Sequence, residues 1–227
     1  MWAKGNGFKR SSATEAFTLI ELLTVISIIG VLAAILTGLS GNAASKMRTS
    51  RINGELQQLV TAIEGYKAEV GFYPPDNQIK TGMPDLTRAQ MNPLYFELTG
   101  AIYEKSQFTA LSQKDPVAPS ELTRAFGVDG INNSAREKRD IKYQGIHFKE
   151  AQYAPIVGYN NIFLLTVPVS GPASNMVGIK PPPDGKGGQA NVWLYDSSST
   201  NRHNMASFDL WAVYNIGKRV VTSGNWK

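Results

Sequence analysis

Two hydrophobic patterns divide the first seventy residues. From Phe17 to Leu39 apolar residues follow one another with no polar face between them, and the only charge is Glu21. A helix over this run spans about 34 Å at ~1.5 Å per residue, enough for the hydrocarbon layer of a bilayer. A core helix of a water-soluble domain rarely stays apolar on every side for so long. From Ile52 the pattern changes. Ile52, Leu56, Leu59, Val60, Ile63, Tyr66 and Val70 recur at helical spacing, while Lys46, Arg48, Arg51, Glu55, Glu64, Lys67 and Glu69 take other positions. That stripe predicts a face packed on a core. Gly71 and Pro74-Pro75 end it. One helix over 17–70, about 80 Å long, is therefore predicted, with Gly30, Gly38, Gly41 and Gly54 as weak points.

Beyond the stop, Gly71-Phe72-Tyr73-Pro74-Pro75-Asp76 reads as an extended turn. Asp85 to Leu98 predicts a short helix with Asp85 as cap, Pro93 as breaker and Gly100 past its end. Residues 111–145 are rich in charges and turn formers, and the run 135–140 reads as a solvated face. The stretches 161–168, 191–195 and 208–214 are aromatic and β-branched between turn signals, which predicts strands. The glycine-rich Pro181–Gly188 segment fits a hairpin loop and lacks the order of a phosphate-binding loop. The fold predicted is α+β: a long N-terminal helix, with a small antiparallel sheet head packed on its second half.

Composition removes several classes. The 227 residues include no cysteine, which excludes disulfide scaffolds, thiolate metal sites and cysteine nucleophiles. With His147 and His203 the only histidines, a histidine triad or a histidine-rich metal site has little to build on. The net charge of +5 includes a local +2 within residues 1–16, from Lys4, Lys9, Arg10 and Glu15. The remaining charge is diffuse and gives no footprint for a nucleic acid. A membrane-anchored enzyme is the alternative from another class, but no pair of acids and bases stands in a recognisable motif.

Within the apolar run, Glu21 needs an explanation. A carboxylate in the hydrocarbon layer costs a few kcal/mol even on lenient scales. A cleavable signal of the ordinary kind is too short, and a plain anchor gives no reason for the acid. A cut just before Phe17 would place a cationic amine beside the helix start, with Glu21 one turn in. Between two chains, that amine and the carboxylate would set the register. The bland alternative is a lipid-facing Glu21 that is protonated or reaches the interface. Flanking charge leaves orientation tied, with Lys4, Lys9 and Arg10 before the run and Lys46, Arg48 and Arg51 after it. Gly30, Ala34 and Gly38 form a small-residue row on which helices can approach closely.

Ala16-Phe17-Thr18-Leu19-Ile20-Glu21-Leu22-Leu23, with the apolar residues up to Ile35, resembles the cleavage and methylation segment of type IV pilins and type II secretion pseudopilins. The resemblance implies a leader over 1–16 removed by a prepilin peptidase between Ala16 and Phe17, and N-methylation of Phe17. The family usually has glycine where Ala16 stands. It also implies assembly through Glu21 with Thr18, a membrane and filament-core half over 17–45, an amphipathic half over 46–70 and a head over 71–227. The expected product is a filament subunit, not an enzyme, without cofactor. The first expectation is a secretion pseudopilin and the alternative is a type IV pilus subunit. Its partners would be copies of itself, other pseudopilins and an inner-membrane assembly platform, with no nucleic acid. It would cross the bacterial inner membrane once, head in the periplasm. The C-terminal part resembles major pseudopilins with a calcium-binding loop. However, 212–225 holds no acid, so only Asp196 or Asp209 could approach, and no metal is expected.

Overall fold

The computed structural model describes residues 18–172, 178 and 189–226, and the side chains of all of these except 36–42. Met1–Ala44 and Ser45–Lys227 form separate compact units, and each is taken by itself. The first element is α1 (Leu19–Val70). In the second unit its stripe behaves as the spacing predicts. Ile52, Leu56, Leu59, Ile63 and Tyr66 are buried, and Val60 and Val70 pack partly buried against the same core. Fully burying each such side chain stabilises by about 1.5–3 kcal/mol, far more than helix propensity supplies. Gly71 stops α1 with a φ of 102°, and its N–H donates to the Lys67 carbonyl at 2.9 Å.

The turn after Gly71 is stitched to the head by its aromatic residues. Phe72 meets the Tyr66 ring edge-on at 6.3 Å, and Tyr73 meets Phe208 at 5.1 Å. The single helix expected over 85–98 is two: α2 (Asp85–Gln90) and α3 (Leu94–Thr99). Pro93 cannot continue α2, and the Asn92 amide fixes the break by donating to the carbonyls of Ala89 and Trp193. Asp85 is not the cap; Pro84 holds that position, and the Asp85 carboxylate pairs with Arg88 at 2.7 Å. Gly100, with φ 80°, follows α3 as expected.

Within the stretch read as loop, 111–145, lies α4 (Pro119–Phe126). Its signals are ordinary: proline in the first turn, Leu122, Ala125 and Phe126 on one buried face, and Gly127 in the left-handed conformation at its end. In the charged run 135–140, residues 136–140 are exposed and pair locally, Arg139 with Glu137 and Asp140, while Ala135 is half-buried.

The one sheet expected is divided into three small ones. β1 (Ala101–Glu104) lies between β2 (Gln107–Ala110), antiparallel, and the two-residue β3 (Ser134–Ala135), parallel. β4 (Tyr153–Pro155) pairs with β5 (Phe163–Leu165), inside the predicted 161–168 stretch. The third sheet orders β6 (Leu194–Asp196), β7 (Asp209–Ile216) and β8 (Arg219–Gly224), all antiparallel. Along β7, Leu210, Ala212 and Tyr214 face the core and alternate with Trp211 and Val213. The Pro181–Gly188 hairpin expectation lies outside the described residues.

One charged side chain sits at the centre of the head. Glu97 on α3 is fully buried. Its Oε2 accepts the Tyr66 hydroxyl at 2.7 Å and the Asn133 N–H at 3.1 Å, and Oε1 accepts the Asn132 N–H at 2.9 Å. Burial pushes its carboxyl above the usual carboxylate range, while the Asn132 N–H and the Tyr66 hydroxyl pull it back. The carboxylate thereby ties α1, α3 and the 131–133 loop together.

Candidate functional site

The candidate site is the start of α1. Thr18 precedes the helix and caps it through its side chain. The Glu21 N–H donates to Thr18 Oγ1 at 3.3 Å, and the Thr18 N–H donates back to Glu21 Oε2 at 2.9 Å. The Thr18 hydroxyl donates to the same Oε2 at 2.6 Å. This is a capping box, in which two otherwise unpaired backbone donors of the first turn are satisfied reciprocally. Its signal, a threonine followed three residues later by a glutamate before an apolar run, stands in the sequence beside the assembly role that the resemblance implies for Glu21. Among the described residues, Oε1 of Glu21 accepts no hydrogen bond. Among the described residues the carboxylate thus has one oxygen engaged by Thr18 and one that no donor reaches.

The remaining polar groups of the segment are also satisfied inward. The Thr24 hydroxyl donates to the Glu21 carbonyl at 2.9 Å, and the Ser27 hydroxyl to the Leu23 carbonyl at 2.7 Å. Such back-bonding lets a hydroxyl enter an apolar medium without an orphan donor. Around these residues the helix is apolar on all sides. Leu19, Ile20, Leu22, Leu23, Val25, Ile26 and the large residues through Ile35 stay 45–81% exposed in the isolated chain. Burying each would gain about 1.5–3 kcal/mol, so the segment requires lipid or other protein around it. Among the described residues no helix is long and apolar enough to cross a membrane. The described side chains of the apolar run end at Ile35, and 36–42 lie outside them.

The other expected site residues are placed as follows. A Cβ added at Gly30 would meet nothing within 4 Å, so the small-residue row is open there. Ala34 is exposed on the same helix. Gly38 lies in α1 but outside the described side chains, and Ala16 and Phe17 lie outside the described residues.

The acids considered for calcium are engaged in turns. Both Asp209 oxygens accept backbone N–H groups, from His203 at 2.6 Å and Asn204 at 2.9 Å. Asp196 Oδ1 accepts those of Ser198 and Ser199. Among the described residues no three acids or histidines gather in a group able to hold a metal.

No family model matches the chain, and no solved structure matches it. Curated relatives do. The chain is 47% identical over 53 residues to the type IV major alpha-pilin of Moraxella bovis, covering 23% of this chain and 33% of that protein. It is 47% identical over 77 residues to fimbrial protein Q of the same organism, covering 32% and 49%. It is 45% identical over 66 residues to the type IV major fimbrial protein FimA of Dichelobacter nodosus, covering 27% and 41%. The chain thus spans half or less of the length of these relatives. They bear out the resemblance to type IV pilins and leave the pseudopilin subtype undistinguished. Each carries the name of a pilin or fimbrial protein, not of an enzyme.

Proposed function

We infer that this chain, similar to type IV pilins, is a structural subunit that polymerises into a filament through the start of α1. A leader over 1–16 is removed between Ala16 and Phe17 by a prepilin peptidase, and the new amine of Phe17 is methylated. Before assembly, residues 17–45 cross the inner membrane once, with the head in the periplasm. During assembly the apolar surface from Leu19 to Ile35 passes from lipid to neighbouring copies, with Gly30, Ala34 and Gly38 letting the helices close up. An inner-membrane assembly platform receives the subunit. No catalytic residue or cofactor takes part.

The observation that carries this reading is the divided Glu21 carboxylate on an otherwise apolar helix. Thr18 occupies Oε2 and makes the acid tolerable in the monomer. The Oε1 side meets the Phe17 amine of the next copy, a charge pair strengthened by the low dielectric around it. A mismatch of register leaves both charges unpaired in the apolar layer, and this selects one helix stagger over others.

Because the matched relatives are pilins and fimbrial proteins, the pilus subunit is the reading they favour. A pseudopilin of a type II secretion-like system is the second reading. It rests on the Gly71-Phe72-Tyr73-Pro74-Pro75 turn, on the likeness of Phe208–Trp211 and Gly224–Trp226 to major pseudopilins, and on the lack of cysteine. Electron microscopy of cells expressing wild-type chain and Glu21→Ala tests assembly. Filaments are expected from the first only, and equal filaments from both contradict the mechanism. Deleting the gene separates the two readings: loss of surface fibres marks a pilus subunit, and retained exoproteins with surface fibres intact mark a pseudopilin.

A further inference from the structure

A polar cavity of about 320 Å³ opens in the head between α2 and the loop that follows β6. Its volume suits a small ligand, and its walls are mostly polar, with Ala89 and the Tyr195 ring as the apolar members. On one side Asp76 is buried and saturated. Its oxygens accept the N–H groups of Ser197 and Ser198, the Ser198 hydroxyl and the Gln78 amide. Asp196 adjoins it within hydrogen-bonding reach of the Asp76 carboxyl, and its Oδ1 accepts the Ser198 and Ser199 N–H groups. Burial first, and Asp196 as a further contributor, raise the Asp76 carboxyl above its ordinary range. Among the described residues, the side chains of Lys80, Thr200 and Asn201 make no hydrogen bond or ion pair, although all three line the cavity. Arg88 lines it too and is held by Asp85.

This inventory narrows the ligand. A divalent cation has no ligand set here: Asp76 is saturated, Asp85 is paired with Arg88, and among the described residues no three acids or histidines gather in a group able to hold a metal. A simple anion would face Asp76 and Asp196. An apolar molecule would strand polar groups on every wall. The uncommitted groups supply donors (Lys80 and the Asn201 amide), an acceptor (the Asn201 side-chain carbonyl) and a hydroxyl that does both (Thr200). A ligand that both donates and accepts at several neighbouring points matches them. We propose that this cavity is a binding site for a saccharide unit, held by Lys80, Thr200 and Asn201 beside the Asp76–Asp196 pair. The site belongs to the head alone and does not depend on filament assembly.

Saturation-transfer NMR on the full chain in a sugar-free detergent tests it, with glucose, galactose, mannose and N-acetylglucosamine each added alone. At least one sugar receives saturation from the protein. Its signal falls to background in the Thr200→Val/Asn201→Ala double variant, whose side chains hold nothing else in the fold. No transfer to any of the four sugars, or equal transfer in wild type and variant, overturns the proposal.

Discussion

Replacing Glu97 by glutamine separates charge from shape at the centre of the head. Every partner of the carboxylate is a donor: two backbone N–H groups, the Asn132 amide at 3.4 Å and the Tyr66 hydroxyl. The hydroxyl can turn and accept, but the N–H groups cannot. In Glu97→Gln one position must hold an NH₂ group. With the amide oxygen toward Asn132, that NH₂ faces the Asn133 N–H, and a buried donor is stranded. Such a group costs about 1–3 kcal/mol. Removing the buried charge offsets part of this, because burial already disfavours the ionised form. The donors outnumber what an amide can satisfy, so the net change is a loss. For a chain of this size a loss of about 1–3 kcal/mol lowers Tm by roughly 2–12 °C. Near-UV circular dichroism of the full chain in detergent, followed through thermal unfolding at neutral pH, measures it. A Glu97→Gln protein as stable as wild type would refute the reasoning, since burial cost would then outweigh the donor set.

The same carboxyl sets a pH dependence. Its folded value lies above its unfolded one, so its contribution to stability is fully present below the ordinary glutamate range and is lost as pH rises through the raised value. Glu97→Gln removes that part of the slope in a stability-against-pH profile. Tyr66→Phe should cost about 1.5–3 kcal/mol by taking one donor from a charged acceptor, and the double variant should lose less than the sum, as a double-mutant cycle in denaturant reads. Gly127→Ala puts a Cβ 2.8 Å from the Ile79 nitrogen at φ 72°, whereas Gly71→Ala, at φ 102°, meets nothing within 4 Å. Both pay left-handed strain of about 1–3 kcal/mol, and only Gly127→Ala adds a clash with backbone, so it should unfold at the lower temperature. Ala16→Phe should block processing, leaving residues 1–16 attached in the intact-protein mass; a mature mass beginning at Phe17 would contradict this.

What the sequence made legible was whatever repeats at a fixed spacing. The stripe from Ile52 to Val70 foretold the buried face of α1, and Gly71 its end, because a helix buries residues by period alone. β7 was legible for the same reason, and its partner β8 was not: Arg219–Gly224 lies on an edge with little alternation in burial. Pro93 was seen as a breaker, but not as the division between two helices, since that depends on Asn92 finding the Trp193 carbonyl. Residues far apart in sequence stayed hidden. Asp76 and Ser198 meet across 122 positions, and Glu97 looks on paper like any acid on an exposed helix face. At the candidate site the apolar run and Glu21 were read directly. The Thr18 cap has a local signal too, a threonine three residues before Glu21, but the apolar run around it points first to partners in other chains.

The central claim is that Glu21, capped by Thr18, completes its bonding with the amine of a neighbouring copy. Electron cryomicroscopy of purified filaments, at a resolution that shows side chains, tests it most directly. The account predicts that Oε1 of Glu21 lies within hydrogen-bond distance of the Phe17 nitrogen of an adjacent subunit. A Glu21 carboxyl turned toward solvent or lipid, with no cationic group beside it, would contradict the account.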